Sequence, residues 1–498
     1  MEKRLEVYNK VFDLDSRLPN NIIMTPRNVA YEMISMLDKI HQAQGGIWTA
    51  NNKFLDPVCK SGIYLKLIFE KLMNSNDDSY NCEECNTIDK KRQYIIKNQL
   101  YGVVISSYCA DIVRREIFGK AYIKGNIVDT IDYSTIIACM RTRNIDEIYN
   151  KIKGTFNNMK FDVVIGNPPY NDNMGRGNGG GGNALYPAFM ALAIKLSKRY
   201  SSLIIPSAWM ILYPQGSKHD DIDKIRRYSK FKELHDFKDC SKVFSNVSIP
   251  SGVCYYLVDL EHNVNICKHY VHNKDNSVDI IDNLPLFNAR NEVIFRDKNI
   301  IDILKLIENT DGKNYITFND KCAGNKDYFD NGRDIMIGPW NGYSLSKTDE
   351  YSIKYYVNER THHIEYGYVG YNQIPKNSDD YKKHKIIIGQ AFTAGSSQVI
   401  DIPKYIGNNS VCSQSFIPIF SVNNTEEECI NIISYMKTKF FRYLVQCMKA
   451  DQNLSTRTFS LVPMQDFSHP WTDEMLYKRY KLSDNIIELI EKSITEMI

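Results

Sequence analysis

The sequence predicts an open α/β fold with a parallel sheet over about residues 20–260, followed by a mixed α+β region that ends in helices. Three observations carry this. Short β-rich runs alternate with helical patterns up to residue 260. Beyond it the alternation gives way to Asn-, Tyr- and Asp-rich segments with isolated strand-like runs. Near the C-terminus the apolar spacing becomes helical again. The expected division is therefore 1–260, 261–422 and 423–498. A chain of 498 residues, 43% hydrophobic and 24% charged, can bury the cores of two or three domains, and this composition excludes disordered and fibrous classes.

Each element has a local reason. Thr25 can cap a first helix with Pro26 in its first turn, and Val29, Met33, Met36, Leu37 and Ile40 form its apolar stripe. Strands are expected at Lys53–Leu55, Leu100–Ile105, Ala121–Lys124, Phe161–Ile165, Ser202–Ile205 and Val253–Val258. Tyr186, Phe189, Met190, Ala193 and Leu196 repeat at helical spacing, which predicts a helix over Tyr186–Lys198. In the later region Ile386–Ile388 and Ser415–Phe420 read as strands. Thr425 through Glu428 reads as a capping box opening a helix toward Met448, and Ser483–Ile498 as a terminal helix. Low complexity is confined to Gly175–Gly182, a glycine-rich connection suited either to a mobile cover or to a plain linker.

The net charge is +3, but it splits after Leu260 into 35 Lys+Arg against 28 Asp+Glu, then 27 against 31. The front part at +7 suits a polyanionic partner, and its basic run Lys224–Arg227 is a place for phosphate. No hydrophobic leader or membrane-length run is visible, so a soluble, cytoplasmic protein is expected. The twelve cysteines then read as free thiols, and Cys82–Cys85 lacks the second Cys or His pair that a zinc site needs, so no metal is expected.

Two constellations carry chemistry. Asn167-Pro168-Pro169-Tyr170 follows the apolar run Phe161–Gly166 directly, placing a stiff turn at the carboxyl end of a strand, where open α/β sheets bind ligands. Prolines donate no backbone N–H, so their carbonyls and the Asn167 amide oxygen are free to accept, and such a set fits an exocyclic amine. Tyr170 offers a face for a planar base. The second constellation, Asp56-Pro57-Val58-Cys59-Lys60-Ser61-Gly62, is again strand, tight turn and helix. There Ser61 and Gly62 allow close backbone approach and Asp56 can reach a ligand's amine or hydroxyl.

In this order, with Thr25-Pro26 ahead of both, the chain resembles N6-adenine DNA methyltransferases of the gamma arrangement, in particular the methylase part of type II restriction-modification enzymes. The resemblance covers about residues 20–260, including Ile205–Trp209 and Val243–Cys254, and touches the tail at Leu461–Trp471. It implies a Rossmann-like S-adenosylmethionine-dependent methyltransferase sheet and a C-terminal target-recognition domain. It further implies methyl transfer to the adenine N6 amine in duplex DNA, with S-adenosylhomocysteine as product. Asn167, Pro168, Pro169 and Tyr170 are then the catalytic set. Tyr170 and Phe244 would stack on a flipped base, and flipping is required because a paired amine is out of reach. Thr25, Asp56, Pro57, Cys59, Gly62, Asn126 and Asn167 would hold the cofactor.

Two departures from the family pattern stand out: Lys60 replaces a glycine, and Val104 stands where an acidic ribose partner is expected, leaving Ser106 or Ser107 as substitutes. A monomer on double-stranded DNA is expected, with room for a separate restriction endonuclease. Tyr351–Tyr371, Tyr381–Lys385 and Lys437–Arg442 mix aromatics with cations and suit DNA contacts, and Asn372, Gln390 and Gln446 can read adenines. The alternatives are N-methylation of RNA or of a protein glutamine, or a catalytically weak DNA-binding relative.

Overall fold

The structure is a computed structural model that describes residues 23–39, 46–119, 125–171, 184–210, 225, 228, 230–245, 247, 249, 251–273, 275–284, 294–321, 342–374, 377–391, 397–449 and 454–497. The predicted strand Ala121–Lys124, the run Gly175–Gly182, Ile40, and Lys224, Arg226 and Arg227 lie outside the described residues. The chain divides into two compact units, Met1–Ile294 and Phe295–Ile498.

The first unit is built on one nine-stranded sheet. Its strands in chain order are β1 (Phe54–Cys59), β2 (Leu100–Val104), β3 (Asn126–Val128), β4 (Phe161–Gly166), β5 (Ser197–Pro206), β6 (Phe231–Phe237), β7 (Val253–Asp259), β8 (Cys267–His272) and β9 (Val278–Leu284). In space the order is β3-β2-β1-β4-β5-β7-β6-β8-β9. The first five run parallel, and β7 is antiparallel to both β5 and β6. Every residue of β1 and β2 is buried, as are all but one of β4, because a parallel sheet is covered on both faces; the strands are accordingly apolar except for Asp56 and Asp162.

Helices α1 (Arg27–Asp38), α2 (Ile63–Met73), α3 (Ile88–Asn98), α4 (Ser107–Phe118), α5 (Tyr133–Thr142), α6 (Ile145–Thr155) and α7 (Tyr186–Leu196) fill the connections. The stripe on α1 is buried as predicted, but its cap differs. Pro26 itself is the N-cap and no side chain serves there, since the Thr25 hydroxyl is engaged elsewhere.

The boundary expected at residue 260 moves to 294. β8 pairs in parallel with β6 and β9 antiparallel with β8, so residues 261–284 extend the same sheet. Redrawn at 294, the charge becomes 38 Lys+Arg against 33 Asp+Glu in the first unit and 24 against 26 in the second, or +5 and −2.

The second unit contains the rest of the 261–422 region and the helical 423–498 region together. Its strands are β10 (Ile353–Tyr356), β11 (Tyr366–Val369), β12 (Lys385–Gly389), β13 (Lys404–Tyr405), β14 (Ser410–Cys412) and β15 (Phe416–Phe420). They form two three-stranded sheets, β11-β10-β14 and β13-β12-β15. Thr425 caps a helix as predicted, but the box is half closed. Its hydroxyl accepts from Glu428 N, while the Glu428 carboxylate turns back to Asn423 N at 2.7 Å. The expected single helix is two, Glu426–Lys437 and Lys439–Met448, broken at Thr438, whose hydroxyl caps the second. The last helix is Asp484–Ser493. Among the described residues no helix is long and apolar enough to cross a membrane.

Candidate active site

The chain steps outward from β1 to β2 and β3 on one side, then returns to place β4 and β5 on the other. The order therefore reverses between β1 and β4, and the carboxyl ends of these two strands flank the crevice where such sheets take ligands. Both chemical constellations lie at this edge. They are in contact: a Cβ built on Gly166 would sit 2.8 Å from Asp56 Oδ1, so glycine is what lets the two turns meet.

Pro57 lies within β1 and cannot donate to a ladder, and the register slips between Asp56 and Cys59. The Asp56 carboxylate uses the slip, accepting from Val58 N at 3.1 Å and from the Cys59 thiol. At Gly62 the backbone turns left-handed (φ 76°) into α2, and an added Cβ would press on Val113 Cγ1 at 2.9 Å. Burial dominates the electrostatics of this turn. Asp56 is pushed up to about 7, against the pull of Val58 N–H and Lys60, and Lys60 is pushed down to about 8, against the pull of Asp56. The Cys59 thiol is driven up by burial and by the Asp56 charge.

Asn167 is 3% exposed. Its Nδ2 donates to the Ile23 carbonyl at 2.9 Å and to Thr25 Oγ1 at 3.1 Å, while its Oδ1 is buried without a partner. Lys60 Nζ donates to the same Ile23 carbonyl at 2.8 Å, and Tyr64 Oη lies 3.2 Å from Thr25 Oγ1. Pro168, Pro169 and Tyr170 are buried beside it. The Tyr170 carbonyl accepts from Leu185 N at 2.9 Å, and an Asn171–Ala184 bridge closes the loop above it. Tyr170 Oη also lacks a partner, and burial holds that phenol well above its usual range. Phe244 follows the short turn Cys240–Lys242 and belongs to the same apolar cluster as Tyr170.

The structure thus brings Thr25, Asp56, Pro57, Cys59, Gly62 and Asn167–Tyr170 to one edge of the sheet, with Phe244 sharing the Tyr170 cluster. It does not bring Asn126 there. Asn126 opens β3 opposite Tyr101, near the start of β2, and its amide donates to the Lys97 carbonyl at 2.7 Å. That is the amino end of a parallel strand; the residue leaving β3 at the shared carboxyl edge is the exposed Asp129. Val104 ends β2 in the core, and Ser106 caps α4 by accepting from Cys109 N, which leaves Ser107 exposed in the first turn. Sequence reading missed the link from Lys60 through Ile23 to Asn167, which joins residues 37 and 144 positions apart and has no local pattern.

In the second unit two of the cations singled out for DNA are inside. Arg442 is 1% exposed and donates to the carbonyls of Lys437 and Thr495, and Lys385 is fully buried with its Nζ on the Ser410 carbonyl. Each thus directs its charge at backbone carbonyls inside the unit. Lys354, 4.7 Å from the Tyr366 ring centre, keeps its aromatic–cation pairing, and Asn372 and Gln446 are exposed.

Residues 98–244 match the Eco57I restriction-modification methylase family. The segment runs from the residue before Gln99 and β2, through Asn167–Tyr170, to Phe244. The chain is also 38% identical over 115 residues to an uncharacterized adenine-specific methylase of Mycoplasma pneumoniae, a stretch that is 23% of this chain and 27% of that protein. Among solved structures, it is similar at 11% identity to the Type ISP restriction-modification enzyme LlaGI, in a nuclease-deletion form bound to a DNA substrate mimic. That match has a TM-score of 0.49 and covers 93% of this chain and 48% of the other. The Type IIL enzyme MmeI bound to DNA matches at 11% identity and a TM-score of 0.42, with 87% and 64% covered. The chain thus spans about a quarter of the curated relative and from about half to under two thirds of these enzymes.

Proposed function

We propose that this protein methylates the N6 amine of adenine in a specific duplex DNA sequence, using S-adenosylmethionine, within a restriction-modification system. The observation that carries the reading is the buried, unpartnered Asn167 Oδ1 at the carboxyl end of β4, one residue after Gly166, which lies against Asp56.

The residues fit the cofactor. Asp56 is a buried carboxylate suited to an amine or hydroxyl, and Gly62 makes the left-handed turn into α2 that lets Val113 pack where a side chain would stand. Thr25, Asp56, Pro57, Cys59 and Gly62 would hold it. When bound, the cofactor supplies an electrophilic methyl group on a sulfonium sulfur.

The remaining chemistry belongs to the chain. Asn167 Oδ1 and the Pro168 carbonyl accept the two amine hydrogens, which localises the nitrogen lone pair and aims it. Pro169 stiffens the loop. The Tyr170 ring, 6% exposed, and Phe244, 3% exposed, are covered here, so a base that stacks on them displaces what covers them. The amine, once methylated, would carry a surplus proton that water can take, so no side-chain base is required at the start.

Plasmid DNA, ribosomal RNA and a release factor, incubated separately with purified protein and labelled cofactor, test the reading. Label is expected in DNA as N6-methyladenine at a recurring sequence. Label in RNA or protein alone would overturn it.

A further inference from the structure

We infer that Lys60 is a positioning residue for Asn167, holding through the Ile23 carbonyl the segment that decides which end of the Asn167 amide faces the incoming amine. The inference rests on the function proposed above.

Asn167 Nδ2 and Lys60 Nζ converge on the Ile23 carbonyl oxygen, at 2.9 and 2.8 Å. A carbonyl oxygen only accepts. The amide end beside it must therefore be nitrogen, because the flipped amide would set two oxygens against each other in a buried place. The second amide hydrogen goes to Thr25 Oγ1 at 3.1 Å. Both donors of Asn167 are thus taken by residues 23 and 25, and its acceptor is left over. An acceptor without a donor is what an exocyclic amine needs, and it is set before any substrate arrives.

The orientation is only as firm as the segment that imposes it. Residues 23–26 precede α1 outside any helix or strand; Ile23 and Met24 pack on the apolar core, and the polar ties to the edge are Lys60 and Asn167 to Ile23 and Tyr64 and Asn167 to Thr25. Lys60 is 7% exposed, so its ammonium sits where a hydrogen bond to a carbonyl is strong and its loss is not made good by water. A glycine at this place in the turn could not reach Ile23.

Lys60→Met keeps the length and apolar stem and removes the donor, while Lys60→Arg restores one. Hydrogen exchange of the peptide covering residues 23–30, measured on the ligand-free protein, is expected to be faster in Lys60→Met and to return toward the parent rate in Lys60→Arg. Single-turnover methyl transfer to DNA at saturating cofactor should fall about tenfold in Lys60→Met and recover most of that in Lys60→Arg, as a small misplacement of a reacting group does. Cofactor affinity should fall as well, because Thr25 lies in the loosened segment and the loss of Lys60 removes a charge that draws the Asp56 carboxyl down, so the rates are compared at cofactor saturating for each variant.

Unchanged exchange in Lys60→Met overturns the inference, as does a parent-like single-turnover rate at saturating cofactor. Thermal unfolding of the same variants identifies a general loss of structure, which would raise exchange throughout and also count against a local role. If the parent protein transfers no methyl group to DNA, the proposed function fails, and the exchange comparison still decides whether Lys60 holds the segment.

Discussion

The Asp56–Gly62 segment that ends β1 and the Asn167–Tyr170 loop that follows β4 come together where Gly166 lies against Asp56, yet they are chemical opposites. The first buries Asp56, Cys59 and Lys60 within four positions of one another, and their polar atoms are paired with backbone or with each other. The second contains no group that ionises near neutrality and carries two buried polar atoms without partners, Asn167 Oδ1 and Tyr170 Oη. The difference teaches a division of labour. A turn with a fixed internal field suits a ligand that brings its own charges. A neutral loop with spare acceptors suits a neutral amine, which it can orient without taking the proton the reaction has yet to release.

Substitutions at each turn should therefore fail differently. Asn167→Ala removes the acceptor and should lower methyl transfer by about 10²–10³-fold or more while DNA binding, followed by mobility shift, survives. Near-normal turnover would erase the contrast. Asp56→Asn should instead weaken cofactor affinity by about tenfold, the scale of one charge-assisted hydrogen bond, with a smaller effect at saturating cofactor.

The pH dependence sharpens this. Because Asp56 is held up to about 7, it takes a proton as the pH falls through that value, and calorimetric cofactor affinity should drop there in the parent but not in Asp56→Asn. The effect on the fold has the opposite sign. A carboxyl raised above its unfolded value stabilises the folded chain in acid and loses that contribution as the pH rises toward 7. Tyr170→Ala should slow transfer by about tenfold through lost stacking, whereas Tyr170→Phe should change it by less than about twofold, since the hydroxyl has no partner to lose. The smallest effect is expected for Asn126→Ala, whose amide serves Lys97 at the far end of its strand. Cofactor affinity within about twofold of the parent would confirm that placement.

The parts of this site legible in the sequence were those whose physics is local. Phe161–Gly166 is apolar but for Asp162, and the prolines after it end the strand wherever it is placed. What was illegible depended on partners remote in sequence. Phe231–Phe237 contains Lys232, Glu233, His235 and Asp236 and does not read as a strand. It becomes central because His235 stacks between Tyr255 and Tyr270, at 4.7 and 4.3 Å, and Asp236 accepts from Ser207 at 2.7 Å. The shift of the boundary from 260 has the same source, since β8 is held by pairing to β6 and β9 by pairing to β8. Asn126 was misplaced because its role turns on which end of β3 it occupies, and strand direction enters only once β2 is beside it. Arg442 and Lys385 looked like surface cations because composition does not reveal which carbonyls need a donor.

The Ile23 carbonyl has a consequence for when the protein becomes competent. The contact from Asn167 closes a loop of 144 positions and the contact from Lys60 one of 37. Closing the longer loop carries an entropic cost that only the docked β1–β4 sheet can offset. During synthesis, residues 23–25 leave the ribosome long before β4 exists to receive them, so a nascent chain can form the Asp56 turn and still have nothing that orients an amine. Cofactor-turn geometry should therefore mature before catalytic geometry.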